Sequence, residues 1–433
     1  MNRKLILFEL NEINFDVVQE YVSLGKFKKN SAFFKILSGN FIKTSSEDSY
    51  EELEPWIQWV SVHTGQRYKD HKVFRLGEIE SYHEPQIFEK IEKKGYSVGC
   101  ISPMNAANRL DHPAYFIPDP WTNTKSDGSF WGVTLSSVIK QVVNDNSQSK
   151  ITKKNYFYIG MALLRFARPI NYKKYIQLAV RSVKYSWNKA LFLDLLLHDI
   201  HCSFFERHGN NFSTIFLNAG AHIQHHYFFN SIVCRSALKN SPSYAPPEAD
   251  PIFDMLELYD HILSSYLEMN EVELIIATGL SQKPYDRKKF YYRLKNHDNF
   301  MCQLGIKFDR IQPRMTRDFL VEFNSPISAK LAEDALSKIL VLPDGLPLFG
   351  KIENLGKDLF VTLTFPNEIT KDCYISFNHQ KIFLIHDLVF VAIKNGMHSD
   401  VGYAFFSPGL QNIAPKQGSH VKSIFDVIDQ YFQ

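Results

Sequence analysis

Three histidines fall within the short stretch FLNAGAHIQHHYFF (216–229): His222, His225 and His226. Imidazole binds borderline metals and titrates near neutrality, so this grouping suits either a metal or proton transfer. A helix starting near Ala221 places His222 and His226 at i and i+4 on one face, with His225 beside them. The same pattern also fits a cluster of hydrogen-bonded structural histidines. Carboxylates come from Glu9 and Glu12, around the end of the apolar run LILFEL (5–10). Asn11, Gln58, His63, Asn218, Gln224 and Gln282 add polar groups, and His398 follows the run VFVAI (389–393).

Chemistry from residues this far apart requires elements that bring them together. LILFEL is a continuous apolar run feeding a helical pattern, FDVVQEYVSLGKF, which predicts the start of a βα unit. SVGCIS (97–102), TIFLNA, ELIIATG (273–279) and VFVAI read as further short buried strands. Pro55 marks the expected start of a helix, and Thr64-Gly65 its end. Four of these strands end in polar loops, at Glu9 to Glu12, Asn218 to His226, Thr278 to Gln282 and His398. In a doubly wound sheet the ligand crevice lies beyond the carboxyl ends of the strands, so these loops are expected to converge on one site.

The bulk properties narrow the classes further. Forty-nine Lys and Arg against 46 Asp and Glu leave a formal charge of +3, which excludes a general nucleic-acid binder. The five cysteines form no C-x-x-C pair, as expected of free thiols in a reducing compartment. The N-terminal apolar run is too short for a signal peptide, and no stretch is long enough to span a membrane. A cytoplasmic, or membrane-peripheral, location is the expectation. Between Asp145 and Asp194 the chain carries ten Lys and Arg and no acidic residue. This predicts a helical, basic insertion over 146–205, suited to a phosphate-bearing substrate or to peripheral contact with an anionic membrane face. Alternating segments such as FLVEF and LFVTLTF predict a small α+β insertion over 301–385. The expected core is then 1–145, 206–300 and 386–433.

The order of these pieces resembles the alkaline phosphatase superfamily, in particular its type I phosphodiesterase and nucleotide pyrophosphatase branch. ELNEINFDVV sits where that branch has a strand followed by G-L-D-G-x-x-W-D. WVSVHTGQRYKDHKV is similar to S-x-x-T-G-x-x-P-x-x-H-G-V, with Thr64, Gly65 and His71 in step. AHIQHHY corresponds to D-x-x-G-H, IIATGLSQ to V-S-D-H-G, and GMHSDVGYAFFSPG to G-x-H-x-x-x-G. The resemblance implies an α/β/α sandwich with a mainly parallel central sheet. It also implies chemistry on phosphate esters, which those enzymes perform with two metals and a Ser or Thr nucleophile.

Here the first metal Asp falls on Asn11, the nucleophile on Pro55, the Asp of D-x-x-G-H on Ala221, and the Asp-His pair on Thr278-Gly279. Of the family ligands, His225 and His398 remain. The resemblance thus implies a divergent site holding one divalent metal, zinc or similar, on His225 and His398, with Glu9, Glu12 and His222 as catalytic groups. Asn11, Gln58, His63, Asn218, Gln224, His226 and Gln282 are the expected substrate contacts. A metal-free Glu and His acid/base pair is the alternative. ELNE-type sequences also resemble proteins of bacterial surface-polysaccharide biosynthesis, which implies a phosphate-linked or nucleotide-linked carbohydrate as substrate. The contrasting expectation is an inert scaffold that binds a glycan or a partner protein.

Overall fold

LILFEL forms β1 (Leu5–Leu10), and all six residues are buried. A strand covered on both faces needs apolar residues at every position rather than alternate ones. Each buried Leu, Ile or Phe of such a strand contributes about 1.5–3 kcal/mol. The structure, a computed structural model, describes residues 3–144, 152–313, 317–377 and 380–433. It divides into two compact units, Met1–Pro284 with Gly396–Gln433, and Tyr285–Asn395.

In the first unit, β1 is followed by α1 (Phe15–Ser23), α2 (Ala32–Ser38) and β2 (Asn40–Ser45). Next come α3 (Pro55–Thr64), α4 (Tyr68–His71), α5 (Ile87–Lys93), β3 (Val98–Ile101) and β4 (Tyr115–Ile117). The helices α6 (Phe130–Asn144), α7 (Lys153–Phe166), α8 (Tyr172–Lys184) and α9 (Trp187–His208) precede β5 (Phe212–Leu217). The boundary expected near 145 and Lys150 of the basic run lie outside the described residues. After α10 (Ala219–Tyr227) come α11 (Pro251–Leu267), β6 (Glu273–Ala277) and the long β7 (Ser281–Leu294), which leads into the second unit.

That second unit holds α12 (His297–Gln303), β8 (Arg310–Pro313), β9 (Asp318–Glu322), α13 (Pro326–Leu336), β10 (Leu340–Leu342) and β11 (Leu346–Pro347). It continues with β12 (Lys351–Asn354), β13 (Asp358–Thr362), β14 (Tyr374–Phe377), β15 (Gln380–Phe383) and α14 (Leu384–Asp387). Two four-stranded antiparallel sheets, β12-β13-β9-β8 and β11-β10-β14-β15, share an apolar core around Phe319, Val341 and Ile375. The chain leaves along β16 (Leu388–Ser399), and the first unit closes with β17 (Val401–Phe406) and α15 (Ser423–Tyr431).

The central sheet has the order β2-β17-β6-β1-β5-β3-β4. Leu5 to Leu10 register in parallel with Phe212 to Leu217 on one side, and Leu5 to Glu9 with Glu273 to Ala277 on the other. Among the described residues β17 alone runs against its neighbours. Ile6, Phe8 and Leu10 face a core shared with α1, α2, α9, α10 and α11, while Leu5 and Leu7 face α3, α5 and α15. The result is a mixed α/β architecture, a largely parallel sheet flanked by helices.

This topology explains where His398 arrives. The run VFVAI, expected to be a central strand, lies instead in β16, which pairs with β7 in a two-stranded ribbon. The central strand is the next segment, VGYAFF. Because β17 is antiparallel, its start lies at the carboxyl edge of β1, β5 and β6, and the residues just before it are delivered there. No described helix is long and apolar enough to cross a membrane.

A buried acid anchors α10 to the helical layer. Asp194 Oδ2 accepts hydrogen bonds from the Ala219 amide (2.9 Å) and from the Tyr259 hydroxyl (2.6 Å), and Tyr259 Oη in turn accepts from the Gly220 amide (2.8 Å). Burial pushes the Asp194 carboxyl up to about 7, despite the hydrogen bonds that favour its ionised form. An acid whose pKa is raised by folding stabilises the native state fully below its unfolded value and loses that contribution as pH rises through the folded value. Relative to Asp194→Asn, the unsubstituted protein should therefore lose stability, on the order of 4 kcal/mol, between pH 4 and 8. Urea denaturation across that range measures the difference; a pH-independent gap between the two proteins would contradict the assignment.

Candidate metal centre

Immediately after β1 the backbone turns sharply. Glu12 has φ 61°, a left-handed conformation that costs a non-glycine residue about 1–3 kcal/mol and persists only where the surroundings enforce it. The enforcement is visible. The Asn11 amide donates to Leu217 O and the Glu12 amide to Thr278 O, tying the turn to the ends of both neighbouring strands. Gln224 Nε2 donates to Glu12 O (2.8 Å), and its Oε1 accepts from the Asn14 amide (3.2 Å). Asn14 caps α1 through its side-chain oxygen, while its Nδ2 donates to Gln282 O (2.8 Å).

The Glu12 carboxylate is held just as firmly. Gln282 Nε2 donates to Oε2 (2.6 Å) and Asn11 Nδ2 to Oε1 (3.2 Å). Asn11 is itself fixed, since its Nδ2 also donates to Asn218 Oδ1 (2.8 Å) and its Oδ1 accepts from Trp59 Nε1 (2.8 Å). Gly396 makes room for this arrangement: a Cβ there would stand 2.1 Å from Gln282 Oε1 and 2.7 Å from Gln224 O.

Two imidazoles complete the cluster. His225 Nε2, on α10, lies 3.1 Å from Glu12 Oε2, and His398 Nε2, near the end of β16, lies 3.2 Å from the same oxygen. The two ring nitrogens are 3.3 Å apart. Three ligand atoms at these separations define a triangle whose corners lie roughly 1.9 Å from its centre, so an ion slightly above the plane meets all three at about 2.0–2.1 Å. That is one face of a zinc tetrahedron. Glu12, His225 and His398 are thus able to coordinate a single divalent metal.

The cluster is closed on one side and open on the other. Side-chain exposure rises from 3% at Glu12 to 14% at His398 and 29% at His225. Burial alone would raise the Glu12 carboxyl, but His398 and His225 outweigh it and hold the group well below the usual carboxylate range.

The remaining expected residues fall into distinct places. Glu9 does not share the partners of Glu12. Its Oε1 pairs with His63 Nε2 (3.1 Å) and accepts from Thr214 Oγ1 (2.5 Å), with both Glu9 and His63 fully buried. The reason is strand period: Glu9 shares a face of β1 with Leu5 and Leu7 and points into the α3 layer. Gln58, also buried, donates to Glu52 O within the approach to α3. His222 and His226 pack ring to ring at 4.7 Å, as the i and i+4 spacing predicts. Solvent reaches His222, yet the protein around it desolvates the imidazole and, with His225 adding like charge, holds it down to about 4. The structure thus joins Glu12, Asn11, Asn218, Gln224, Gln282, His225 and His398 into one connected constellation, and gives Glu9 with His63, Gln58, and His222 with His226 other partners.

Sequence reasoning missed Glu54. This residue is the N-cap of α3, and its Oε2 stands 3.6 Å from His398 Nδ1, an ionic contact on the ring nitrogen opposite the cluster. Carboxylates behind metal-binding imidazoles orient them and raise their basicity. The available signal was an acidic residue directly before a proline that starts a helix. Asn14, Trp59 and Gly396 were likewise not singled out as parts of the site.

No family model matches the chain, and no curated protein matches it. Among solved structures it is similar to phosphonoacetate hydrolase from Sinorhizobium meliloti 1021 in complex with phosphonoacetate, at 11% identity over 99% of this chain and 95% of that one, with a TM-score of 0.44. It is also similar to wild-type alkaline phosphatase PafA, at 13% identity over 98% and 94%, TM-score 0.45. Murine ectonucleotide pyrophosphatase/phosphodiesterase 5 aligns at 9% identity over 99% and 95%, TM-score 0.40.

The constellation generates a direct prediction. Gln282→Ala removes a donor to Glu12, and Gly396→Ala displaces that donor, so each should weaken zinc binding about 10–100-fold, the range for residues that support metal ligands. Titration against a competing chelator measures this. Unchanged affinity in both variants would show that these groups do not position Glu12 for a metal.

Proposed function

We propose that the protein is a metal-assisted enzyme acting on a phosphate-linked or nucleotide-linked carbohydrate, as a transferase or hydrolase of bacterial surface-polysaccharide biosynthesis. One divalent ion, zinc or similar, would be held by Glu12, His225 and His398. The observation that carries the reading is the convergence of Glu12 Oε2 and two Nε2 atoms within 3.1–3.3 Å of one another on the carboxyl edge of the sheet. Bound there, such an ion supplies Lewis acidity toward a phosphoryl oxygen and lowers the pKa of bound water.

The chain's own residues set the limits of that chemistry. Asn11 is engaged on both ends of its amide, by Trp59, Asn218 and Glu12, and serves as a positioning group rather than the Asp ligand of the superfamily motif. Pro55 begins α3 without a hydroxyl, and its neighbour Glu54 brings a carboxylate to His398 instead. The reading is therefore one of direct attack by a water or an acceptor hydroxyl rather than a covalent phospho-enzyme. His222, exposed on α10 one turn before His225, is the acid/base group this reading assigns. Glu9 and His63 belong to it as a sealed pair behind the site.

Metal analysis of the purified protein, together with a turnover screen on phosphodiesters and nucleotide sugars, tests the proposal. About one zinc per chain is expected, removed by excess of a strong chelator. His225→Ala should lower turnover by at least about a hundredfold. Protein that binds no metal and leaves every substrate untouched would instead be an inert scaffold for a glycan or a partner protein.

A further inference from the structure

The basic run between Asp145 and Asp194 takes a form in the described residues that its charge alone does not explain. α8 has three faces. Tyr175 and Leu178 turn inward, toward the core they share with α9. At 100° per residue, Tyr172, Ile176, Val180 and Val183 line a second stripe roughly 80° wide, and every one of them is exposed. Lys173 and Lys184 flank that stripe and are exposed, with Lys174 further round the helix. α7 repeats the pattern. Asn155, Ala162 and Phe166 are buried, whereas Phe157 and Leu164 project outward between Lys153, Lys154 and Arg165. Leu164 is 92% exposed and Val183 90%.

These apolar side chains are not loose surface. The start of α8 is clamped by Asn171, whose Nδ2 donates to Asp199 Oδ1 (2.6 Å) and whose Oδ1 meets His261 Nε2 (2.7 Å). Near its end Arg181 is bound to Asp254 of α11 (2.6 Å). A helix fixed this way presents its apolar stripe at a set orientation, and exposed apolar stripes on anchored helices mark interaction surfaces.

We infer that α8 is a docking face for an anionic lipid membrane, with Ile176, Val180 and Val183 entering the headgroup boundary. The inference does not depend on the metal centre. Charge selects the partner, because Lys173 and Lys184 on α8, like Lys153, Lys154 and Arg165 on α7, are exposed and neither helix carries an Asp or Glu to offset them, which favours an anionic surface. A second copy of this chain meeting the same face through a two-fold axis would oppose like charge to like charge. An aliphatic stripe bordered by lysines suits a deformable acyl boundary, and Tyr172, exposed within it, suits the interfacial level where such rings concentrate.

Co-sedimentation of the full chain with vesicles tests the inference. Vesicles of phosphatidylglycerol and phosphatidylcholine should bind the protein, phosphatidylcholine alone should not, and binding should fall as salt is raised. Ile176→Glu with Val183→Glu, and separately Lys173→Glu with Lys184→Glu, should each reduce partitioning at least about tenfold. Ile327→Glu, at an exposed position of the second unit, should bind like the unsubstituted protein. All four substituted positions on α8 face solvent, so unfolding temperature should stay unchanged, and the salt titration of the unsubstituted chain reads the same property without any substitution. No binding to the anionic vesicles would overturn the inference. So would equal binding to neutral ones, insensitivity to salt and to both α8 pairs, or self-association through this face in place of vesicle binding.

Discussion

The strained turn at Asn11 and Glu12 is the constraint on which the site depends. A left-handed Glu12 is unfavourable by itself, and the structure keeps it by tying the turn to the ends of β5 and β6 and to the side chain of Gln224. Relaxing the turn would swing the carboxylate away from both imidazoles, because the direction of the side chain follows from this backbone conformation. The strands, the α10 anchor at Asp194 and the space left by Gly396 all act to hold that one orientation.

Two pairs of carboxylate and imidazole illustrate how environment divides roles. Glu9 and His63 are both fully buried and meet inside the α3 layer, beside Thr214. Glu12 meets His225 and His398 where solvent begins. The residue types are the same. What differs is access, since only the imidazoles around Glu12 are reached by solvent. The polar lining around Glu12 is satisfied mostly by amide side chains, which orient a carboxylate without neutralising it.

Much of this was legible in the sequence, and the reasons for the remainder are specific. Continuous apolar runs predict β1, β3, β5 and β6, because a parallel sheet covered on both faces leaves no polar alternation. Proline at the start of α3 and Gly65 at its end, with φ 71°, mark that helix correctly. His225 and His398 stand out through the motif order. The choice between Glu9 and Glu12 was not legible, since it turns on which face of β1 a residue takes and on a backbone angle that no propensity predicts for Glu. The strand carrying His398 was misplaced by one segment: VFVAI and VGYAFF are both apolar and β-rich, and only pairing with β2 and β6 identifies the second as the central one. Glu54 was hidden because an acidic residue before a helix-starting proline reads as an ordinary cap.

The central claim is that one oxygen of Glu12 and the Nε2 atoms of His225 and His398 share a metal. X-ray absorption at the zinc edge of the zinc-loaded protein tests it most directly. The account predicts two imidazoles and at least one oxygen at about 2.0–2.1 Å in a four-coordinate shell, with one imidazole fewer in His398→Ala. A shell of oxygens alone, or a spectrum unchanged by that substitution, would contradict it.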